Sequence, residues 1–231
     1  MLTRRLEPEV CDTHEEASDY DAMDHSSVNA RFCEDFLLLA PDVTRVLDVG
    51  TGTALIPIEL CRRSPAAHVV AIDLSAEMLA LGATRVKDAG FADRVTLDRL
   101  DAKHTGLASG SFTAVVSNSI VHHIPEPRDA LREMVRLLAA GGVLFVRDLL
   151  RPADAETRDA LVDTYAPEPR DPSAPAAASH LRQRELLRAS LDASLSIDEV
   201  TAIAVELGIA RGAVAVTSDR HWTLAWRRPT A

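Results

Sequence analysis

The amino-acid sequence predicts an α/β protein in which helices cover both faces of a parallel sheet. From residue 45 onward, five short runs rich in Val and Leu alternate with segments of helical periodicity. Such runs are typical of strands buried on both faces, and their alternation with helices indicates parallel pairing. A chain of 231 residues is long enough for one large core and short for two, so we predict a single domain.

The elements follow one another in a regular order. A helix is predicted after Ser75, a suitable N-cap residue. Another is predicted over 127–139, because Pro127 suits the first helical position and Gly141 and Gly142 are expected to stop it. The predicted strands are residues 45–50, 68–73, 94–101, 112–119 and 142–150.

Three regions flank this repeat within the single domain, 1–231. Residues 1–44 form a predicted helical cap, with Val28, Phe32, Phe36 and Leu39 on one face of a helix. Residues 151–195 carry a proline-rich segment that predicts a mobile loop and then a helix near 180–193. The core is 45–150, the insert is 151–195, and 196–231 is predicted as a helix (197–208) and a closing hairpin around Asp219–Arg220.

Composition excludes several functions. The formal net charge is −10 with no long basic run, which disfavours a nucleic-acid partner. Cys11, Cys33 and Cys61 are scattered and show no C-x-x-C spacing, so neither a disulfide framework nor a zinc site is expected. The N-terminus has no apolar signal-peptide core and no run is long enough to span a membrane. The sequence therefore predicts a cytoplasmic protein without a membrane partner.

A glycine-rich turn, "VLDVGTGTAL" (46–55), follows the first predicted strand. A turn of this kind that opens a helix presents backbone N–H groups to a ligand. The dinucleotide fingerprint asks for Gly or Ala at its sixth position, and Leu55 stands there instead. Asp73, at the end of the second strand, is placed to accept both ribose hydroxyls of a nucleotide-like cofactor, in either kind of site.

Several motifs together resemble class I S-adenosylmethionine-dependent methyltransferases. Asp48, Gly50 and Gly52 match that family's first motif, and Ala54 replaces its last glycine, which is expected to leave less room for the cofactor. "DRLDAKHTGL", "SNSIVHHIPEP" and "LLAAGG" follow in the family's order. "YDAMDHSSVNARF" is similar to the N-terminal helix of ubiquinone/menaquinone-type members.

The resemblance implies a Rossmann-like seven-stranded sheet, mostly parallel with an antiparallel last strand, helices on both faces, and S-adenosyl-L-methionine as cofactor. Asp73 is expected at the ribose and Asp101 near the adenine, with Met78 either packed on that ring or part of the core. The residues that the resemblance assigns to cofactor binding are Tyr20, Asp48, Gly50, Thr51, Gly52, Asp73, Leu74, Met78, Asp101, Ala102, Ser117 and Asn118.

Catalytic residues are less sharply indicated, because in-line methyl transfer depends mainly on alignment and a dry pocket. The candidates for a base are Tyr20, His122, Asp148 and His221. His122 and His123 are adjacent, and we expect them to point different ways; no third ligand follows at zinc spacing, so no metal is expected. If the turn at 218–222 lies on the ligand edge, Arg220, His221 and Trp222 face the acceptor.

The sequence predicts a small-molecule acceptor. It does not decide whether the protein is a homodimer. The fourth strand ends in "SNSI", without the [D/N/S]-P-P-[Y/F/W] motif of amino-base methylators. A nicotinamide-dependent oxidoreductase and a non-catalytic cofactor-binding regulator are the two alternatives. Residues 14–30 and 151–180 are predicted to act as a lid, because both attach near the ligand edge of the sheet.

Overall fold

The computed structural model describes residues 2–7, 26–169, 171, 173 and 177–230. These residues form seven strands and seven α-helices. The strands are β1 (Arg45–Val49), β2 (His68–Asp73), β3 (Val95–Arg99), β4 (Phe112–Asn118), β5 (Leu138–Leu149), β6 (Val214–Val216) and β7 (His221–Arg227). The helices are α1 (Ser26–Leu39), α2 (Leu55–Arg63), α3 (Ala76–Asp88), α4 (Pro127–Leu137), α5 (Ala155–Tyr165), α6 (Ala177–Ala193) and α7 (Ile197–Glu206).

The seven strands form one sheet in the order β3-β2-β1-β4-β5-β7-β6. The pairs from β3 through to β5 are parallel, whereas β7 is antiparallel to both β5 and β6. The predicted fold, a mostly parallel seven-stranded sheet with an antiparallel last strand, is confirmed. The strand order reverses between β1 and β4, and ligands of open α/β sheets bind beyond the carboxyl ends of the strands at such a point.

Apolar side chains cover both faces of the sheet. On one face, α1 places Phe32 and Phe36 against Phe145 of β5, with ring centroids 5.1 and 5.9 Å apart. On the other face, Met134 and Leu137 of α4 are fully buried against the same sheet. The predicted apolar face of α1 is confirmed at its two phenylalanines, while Leu39 at the helix end is 41% exposed. Burial on both faces explains why the strands read as continuous apolar runs.

Two boundaries and one helix differ from the sequence prediction. Helix α4 ends at Leu137 and the chain enters β5 at once, so Gly141 and Gly142 lie inside the strand rather than after the helix. A Cβ at position 142 would lie 2.9 Å from the Thr113 carbonyl oxygen, so glycine lets β4 and β5 pair closely there. The insert holds helix α5, which the sequence did not predict, before the predicted second helix.

Within the described ranges, no helix combines the length and hydropathy needed to cross a membrane.

Candidate cofactor and acceptor site

A cavity of about 1420 Å³ opens at the carboxyl edge of the sheet. Its walls come from the ends of β1, β2, β3 and β4, from the insert helices α5 and α6, and from the turn before β7. We call the wall formed after β1, β2 and β3 the cofactor half. The wall formed after β4, by the insert, by residues 2–7 and by the turn before β7 is the acceptor half.

The glycine turn forms the floor of the cofactor half. Gly50 has a φ of 73°, and a Cβ at this position would lie 2.3 Å from the side chain of Ile120. The N–H groups of Gly50 and Thr51 both donate to the carbonyl oxygen of Ile72, at 2.8 and 2.9 Å. Gly52, with a φ of 53°, donates its N–H to Oδ2 of Asp73 at 2.8 Å. Three amides of the turn are therefore engaged by β2.

Ala54, the departure from the family motif, acts differently from the sequence expectation. It adopts the left-handed conformation, with φ 62° and ψ 27°, at the N-terminus of α2. It is fully buried and does not line the cavity; it lies instead against Gly82 of α3. The expectation that its methyl group takes room from the cofactor is wrong, because the methyl group points into the core. What the alanine costs is an unfavourable backbone conformation.

Three carboxylates line the cofactor half and differ in environment. Asp48 is fully buried, and burial, with the nearby Asp73 charge and against a hydrogen bond from Thr51, raises its pKa to about 7. Burial also raises the pKa of Asp73, although the N–H groups of Ser75 and Gly52 oppose the shift. The Asp101 side chain is 41% exposed. Its partial burial raises its pKa, but the hydrogen bonds and charge of Lys103 outweigh this, so the pKa is lowered.

Most of the predicted cofactor residues lie where the sequence placed them. Ser75 caps α3 by accepting the Met78 N–H at 3.2 Å, and Met78 itself is 7% exposed at the cavity wall. Ser117 is the exception: it is fully buried beneath the cavity and donates its hydroxyl to the Val49 carbonyl at 2.9 Å. Tyr20 lies outside the described residues. The predicted residues that line the cavity are Asp48, Gly50, Thr51, Gly52, Asp73, Leu74, Met78, Asp101, Ala102 and Asn118.

His122 begins the acceptor half and is held by Asp148. Its Nδ1 lies 2.5 Å from Asp148 Oδ1, and the other carboxylate oxygen accepts the Val121 N–H at 2.5 Å. Burial acts against the imidazolium, but Asp148 outweighs it and raises the pKa of His122. Asp148 is fully buried and does not line the cavity, so its prediction as a base facing the acceptor is corrected. It instead orients the His122 ring.

The two histidines turn toward one another, contrary to the sequence expectation. Their ring centroids are 4.2 Å apart, at an interplanar angle of 34°. Both face Oε1 of Glu7, which lies 3.5 Å from His122 Nε2 and 3.2 Å from His123 Nδ1. Arg4 fixes this N-terminal segment, since its guanidinium donates to the carbonyl oxygens of Ala193, His122 and Ile124. No local pattern around Glu7 signals this contact, which depends on the tertiary fold.

The turn before β7 completes the acceptor half. Arg220 lies with its guanidinium carbon 3.4 Å from the centre of the Tyr165 ring, and the Tyr165 hydroxyl donates to Asp219 at 2.7 Å. His221 also lines the cavity, and burial together with Arg220 lowers its pKa to about 4. Trp222 is fully buried in the core, so the expectation that it faces the acceptor is wrong.

Arg147, the residue before Asp148 in β5, pairs with Asp35 at 2.8 Å and does not line the cavity. Arg147 and Asp148 do not pair with each other, because neighbouring residues of a strand point to opposite faces. Asp148 turns toward His122 and Arg147 turns toward α1, where its guanidinium also lies 5.9 Å from the centre of the Phe32 ring.

The insert supplies wall residues that no sequence motif singled out. They lie at the end of α5, in the segment after it and along α6, and comprise Tyr165, Ala166, Pro167, Glu168, Pro169, Ser179, His180, Gln183, Leu186, Leu187 and Ser190. The helical spacing of the last five along α6 is the one signal that could have found them. The position of the insert fits the predicted lid, which stays a prediction.

A sheet that reverses its order beside a glycine turn, with an acid at the end of β2, defines the Rossmann-like class that binds nucleotide-like cofactors. Residues 47–146 match the family described as "Methyltransferase domain". Through this core segment the chain resembles the class I S-adenosylmethionine-dependent methyltransferases, and S-adenosylmethionine is the cofactor that this resemblance indicates.

Individual relatives agree with this assignment. A ubiquinone/menaquinone biosynthesis C-methyltransferase (UbiE) of Geobacter sp. strain M21 is 33% identical over 109 residues, 47% of this chain and 46% of the relative. A demethylmenaquinone methyltransferase of Porphyromonas gingivalis is 35% identical over 108 residues, 46% of this chain and 44% of the relative. This chain thus spans just under half the length of these curated relatives.

The fold likeness extends further than the sequence likeness. The crystal structure of a SAM-dependent methyltransferase from Aquifex aeolicus superposes with a TM-score of 0.65 at 18% identity, and the match covers 93% of this chain and 98% of that one. The structural match therefore extends beyond the core segment 47–146 into the flanking regions.

Proposed function

We propose that this protein transfers a methyl group from S-adenosylmethionine to a small-molecule acceptor bound between the cofactor half and the insert. One observation carries the cofactor part. Of four buried side-chain oxygens in the cavity wall, those of Thr53 and Asn118 have no hydrogen-bond partner among the described residues. Those of Asp48 and Thr51 have no partner there beyond one another. Because buried polar atoms are nearly always hydrogen-bonded, such a cluster supports a polar ligand in the cavity.

The engaged turn favours this cofactor over a nicotinamide dinucleotide. A pyrophosphate needs free backbone N–H groups at the glycine turn. Gly50, Thr51 and Gly52 already donate theirs to β2. The cofactor half also presents three carboxylates, which suit the positively charged sulfonium and ammonium groups of S-adenosylmethionine and repel phosphates.

The wall chemistry suggests which residues hold each part of the cofactor. Asp73 retains lone pairs that face the cavity after accepting two backbone N–H groups, and these suit the ribose hydroxyls. Met78 and Ala102 offer apolar surface for the adenine, beside Asp101. Asp48 and Thr51 suit the amino-acid end of the ligand. S-adenosylmethionine supplies a methyl group on a positively charged sulfur.

The acceptor half aligns a nucleophile and excludes water. Leu186 and Leu187 of α6, with Pro167 and Ile124, give this wall an apolar lining that suits a small, partly apolar acceptor. His122 presents Nε2 to the cavity side while Asp148 holds Nδ1, which suits a group that removes a proton from an acceptor hydroxyl or acidic carbon. The names of the two quinone-pathway relatives support a small-molecule acceptor. Cytoplasmic location, exclusion of nucleic acid and a homodimer stay predictions.

Calorimetric titration and a transfer assay test the proposal. We expect the chain to bind S-adenosylhomocysteine and not NADH, and to move a labelled methyl group from S-adenosylmethionine to at least one acceptor in a panel of phenols, quinols and small acids. Binding of NADH alone would support the oxidoreductase alternative. Binding of S-adenosylhomocysteine with no transfer to any acceptor would support the regulatory alternative.

A further inference from the structure

We propose that Glu7, His122 and His123 bind one divalent transition-metal ion, with Zn²⁺ as the reference, at the acceptor end of the cavity. The donor atoms are Glu7 Oε1, His122 Nε2 and His123 Nδ1, and they all lie within 4.8 Å of one another. Two imidazoles and one carboxylate are ligands that zinc commonly takes in proteins.

The spacing of the donor atoms matches a tetrahedral ion. Bonds of about 2.0–2.1 Å to nitrogen and oxygen place neighbouring ligand atoms of a tetrahedron about 3.3 Å apart. Glu7 Oε1 lies 3.5 Å from His122 Nε2 and 3.2 Å from His123 Nδ1. These two spacings are close to the tetrahedral value, and the third, between the two ring nitrogens, is within 4.8 Å.

An outer carboxylate completes the arrangement. Histidines that bind a metal usually donate their other ring N–H to a carboxylate or carbonyl, which fixes the tautomer. Asp148 Oδ1 lies 2.5 Å from His122 Nδ1, and the Asp148 carboxylate is in turn fixed by the N–H groups of Val121 and Leu149. This contact leaves the lone pair of Nε2 directed toward Glu7.

The polar atom at the centre of the cluster lacks a hydrogen bond. Glu7 Oε1 is buried and accepts none from the described residues, although two ring nitrogens lie beside it; the other oxygen accepts a long bond of 3.4 Å from Ser190. A metal ion would satisfy Oε1. It would also add to the positive charge of Arg4 in balancing the negative charges of Glu7 and Asp148.

Three protein ligands leave a fourth position open, which is typical of catalytic rather than structural zinc sites. Glu7, His122 and His123 all line the cavity, so that position faces the space assigned to the acceptor. Resting on the proposed function, we assign it to an oxygen atom of the acceptor, such as a phenol or enol oxygen. The ion would then position the acceptor and stabilise its ionised oxygen, with the acceptor proton lost to solvent. It would replace His122 as the group that promotes loss of this proton, because Nε2 would be bound to the metal.

Metal titration of the full chain tests the site. After treatment with a chelator, we expect one Zn²⁺ per chain with a Kd below about 1 μM, and Co²⁺ should give the visible absorption of a four-coordinate ion. Glu7→Gln and His123→Asn should each weaken Zn²⁺ binding by about 100-fold or more, and Asp148→Asn by about 10- to 100-fold. The matched control is His104→Asn, at an exposed histidine outside the cavity, which should leave binding unchanged.

Absence of stoichiometric binding below about 10 μM would overturn the proposal, and the cluster would then be a histidine–glutamate ion pair. Equal binding by all four variants would also overturn it, because the ion would then lie elsewhere. Titration of each metal-free variant with S-adenosylhomocysteine reports on the fold and on the cofactor half separately. Zinc binding without S-adenosylhomocysteine binding would leave the metal site standing and refute the proposed function.

Discussion

The two halves of the cavity are built in different ways. In the cofactor half, ligand-facing groups follow consecutive parallel strands and contact their neighbours, as Gly52 contacts Asp73. In the acceptor half, the contacts join segments that are far apart in the chain: Glu7 meets His122, and Tyr165 meets Asp219. The first half is thus a product of the sheet alone, whereas the second needs the N-terminal segment and the insert to dock on it.

The halves also differ in charge. The cofactor half presents Asp48, Asp73 and Asp101, which suit a cationic ligand. The acceptor half presents several histidines and the Arg220 guanidinium, together with the carboxylates of Glu7 and Glu168. A fixed acidic wall suits one invariable cofactor. The titratable and cationic groups of the acceptor half come from several separate segments of the chain, and they offer a ligand different chemistry from the acidic wall.

The largest expected effect comes from Gly50→Ala in the cofactor half. The alanine would have to adopt a left-handed backbone, and its Cβ would lie 2.3 Å from the side chain of Ile120, a residue of the acceptor half. Overpacking costs about 1–3 kcal/mol and left-handed backbone about 1–2 kcal/mol more, so the turn must shift. We expect affinity for S-adenosylhomocysteine, measured by calorimetry, to fall about 100-fold, since 1.4 kcal/mol is tenfold.

Gly90→Ala is the matched control for that substitution. Gly90 has a φ of 77° and open space where its Cβ would lie, so the variant should lose only the backbone contribution and bind S-adenosylhomocysteine normally. Adding Ile120→Ala to Gly50→Ala should restore part of the lost affinity. Equal losses in the two single glycine variants would show that the contact with Ile120 does not matter.

A second prediction concerns the pH dependence of stability through Asp48. Its folded-state pKa is raised to about 7, whereas the unfolded chain has the ordinary value. The neutral carboxyl therefore stabilises the fold fully below the unfolded pKa of about 3.9, and this contribution is lost as pH rises through 7. Asp48→Asn keeps the neutral shape at every pH.

The free energy of unfolding of Asp48→Asn, minus that of the wild type, should therefore rise between pH 4 and pH 7 and level off above. The rise is on the order of 4 kcal/mol at most, because one pKa unit is about 1.4 kcal/mol. Urea unfolding at several pH values measures it. Parallel profiles for the two proteins would mean that Asp48 stays ionised in the folded state.

The contrast between the two halves also explains how much of the fold and of the site can be predicted from the sequence. The sheet, the capped α3 and the carboxylates of the cofactor half follow from local patterns, because each strand end contributes its own short motif to a shared edge. The α4–β5 junction was misplaced, since Gly141 and Gly142 serve strand packing and not a helix end. Glu7 could not be predicted as a partner of His122, because no periodicity relates positions that only docking brings together.

A smaller effect is expected from Asp73→Ala. The variant loses acceptors for two ribose hydroxyls, each hydrogen bond to a charged group being worth about 1.5–3 kcal/mol, against some solvent compensation. We expect about a 10-fold or greater loss of affinity for S-adenosylhomocysteine. Asp98→Ala, on neighbouring β3 and outside the cavity wall, is the control and should bind normally. Unchanged affinity of Asp73→Ala, with its melting transition intact, would remove Asp73 from the cofactor site.

The smallest effect is expected four residues from the largest, at Ala54→Gly. Glycine relieves a left-handed alanine backbone, worth about 1–2 kcal/mol, but gives up about 0.8 kcal/mol for a buried methyl group and about 0.4–1 kcal/mol of unfolded-chain entropy. These contributions nearly cancel, so the melting temperature should change by no more than about 4 °C. Affinity for S-adenosylhomocysteine should stay within about twofold, because Ala54 points into the core. A several-fold gain in affinity would instead show that position 54, where the family motif has its last glycine, does control the room left for the cofactor.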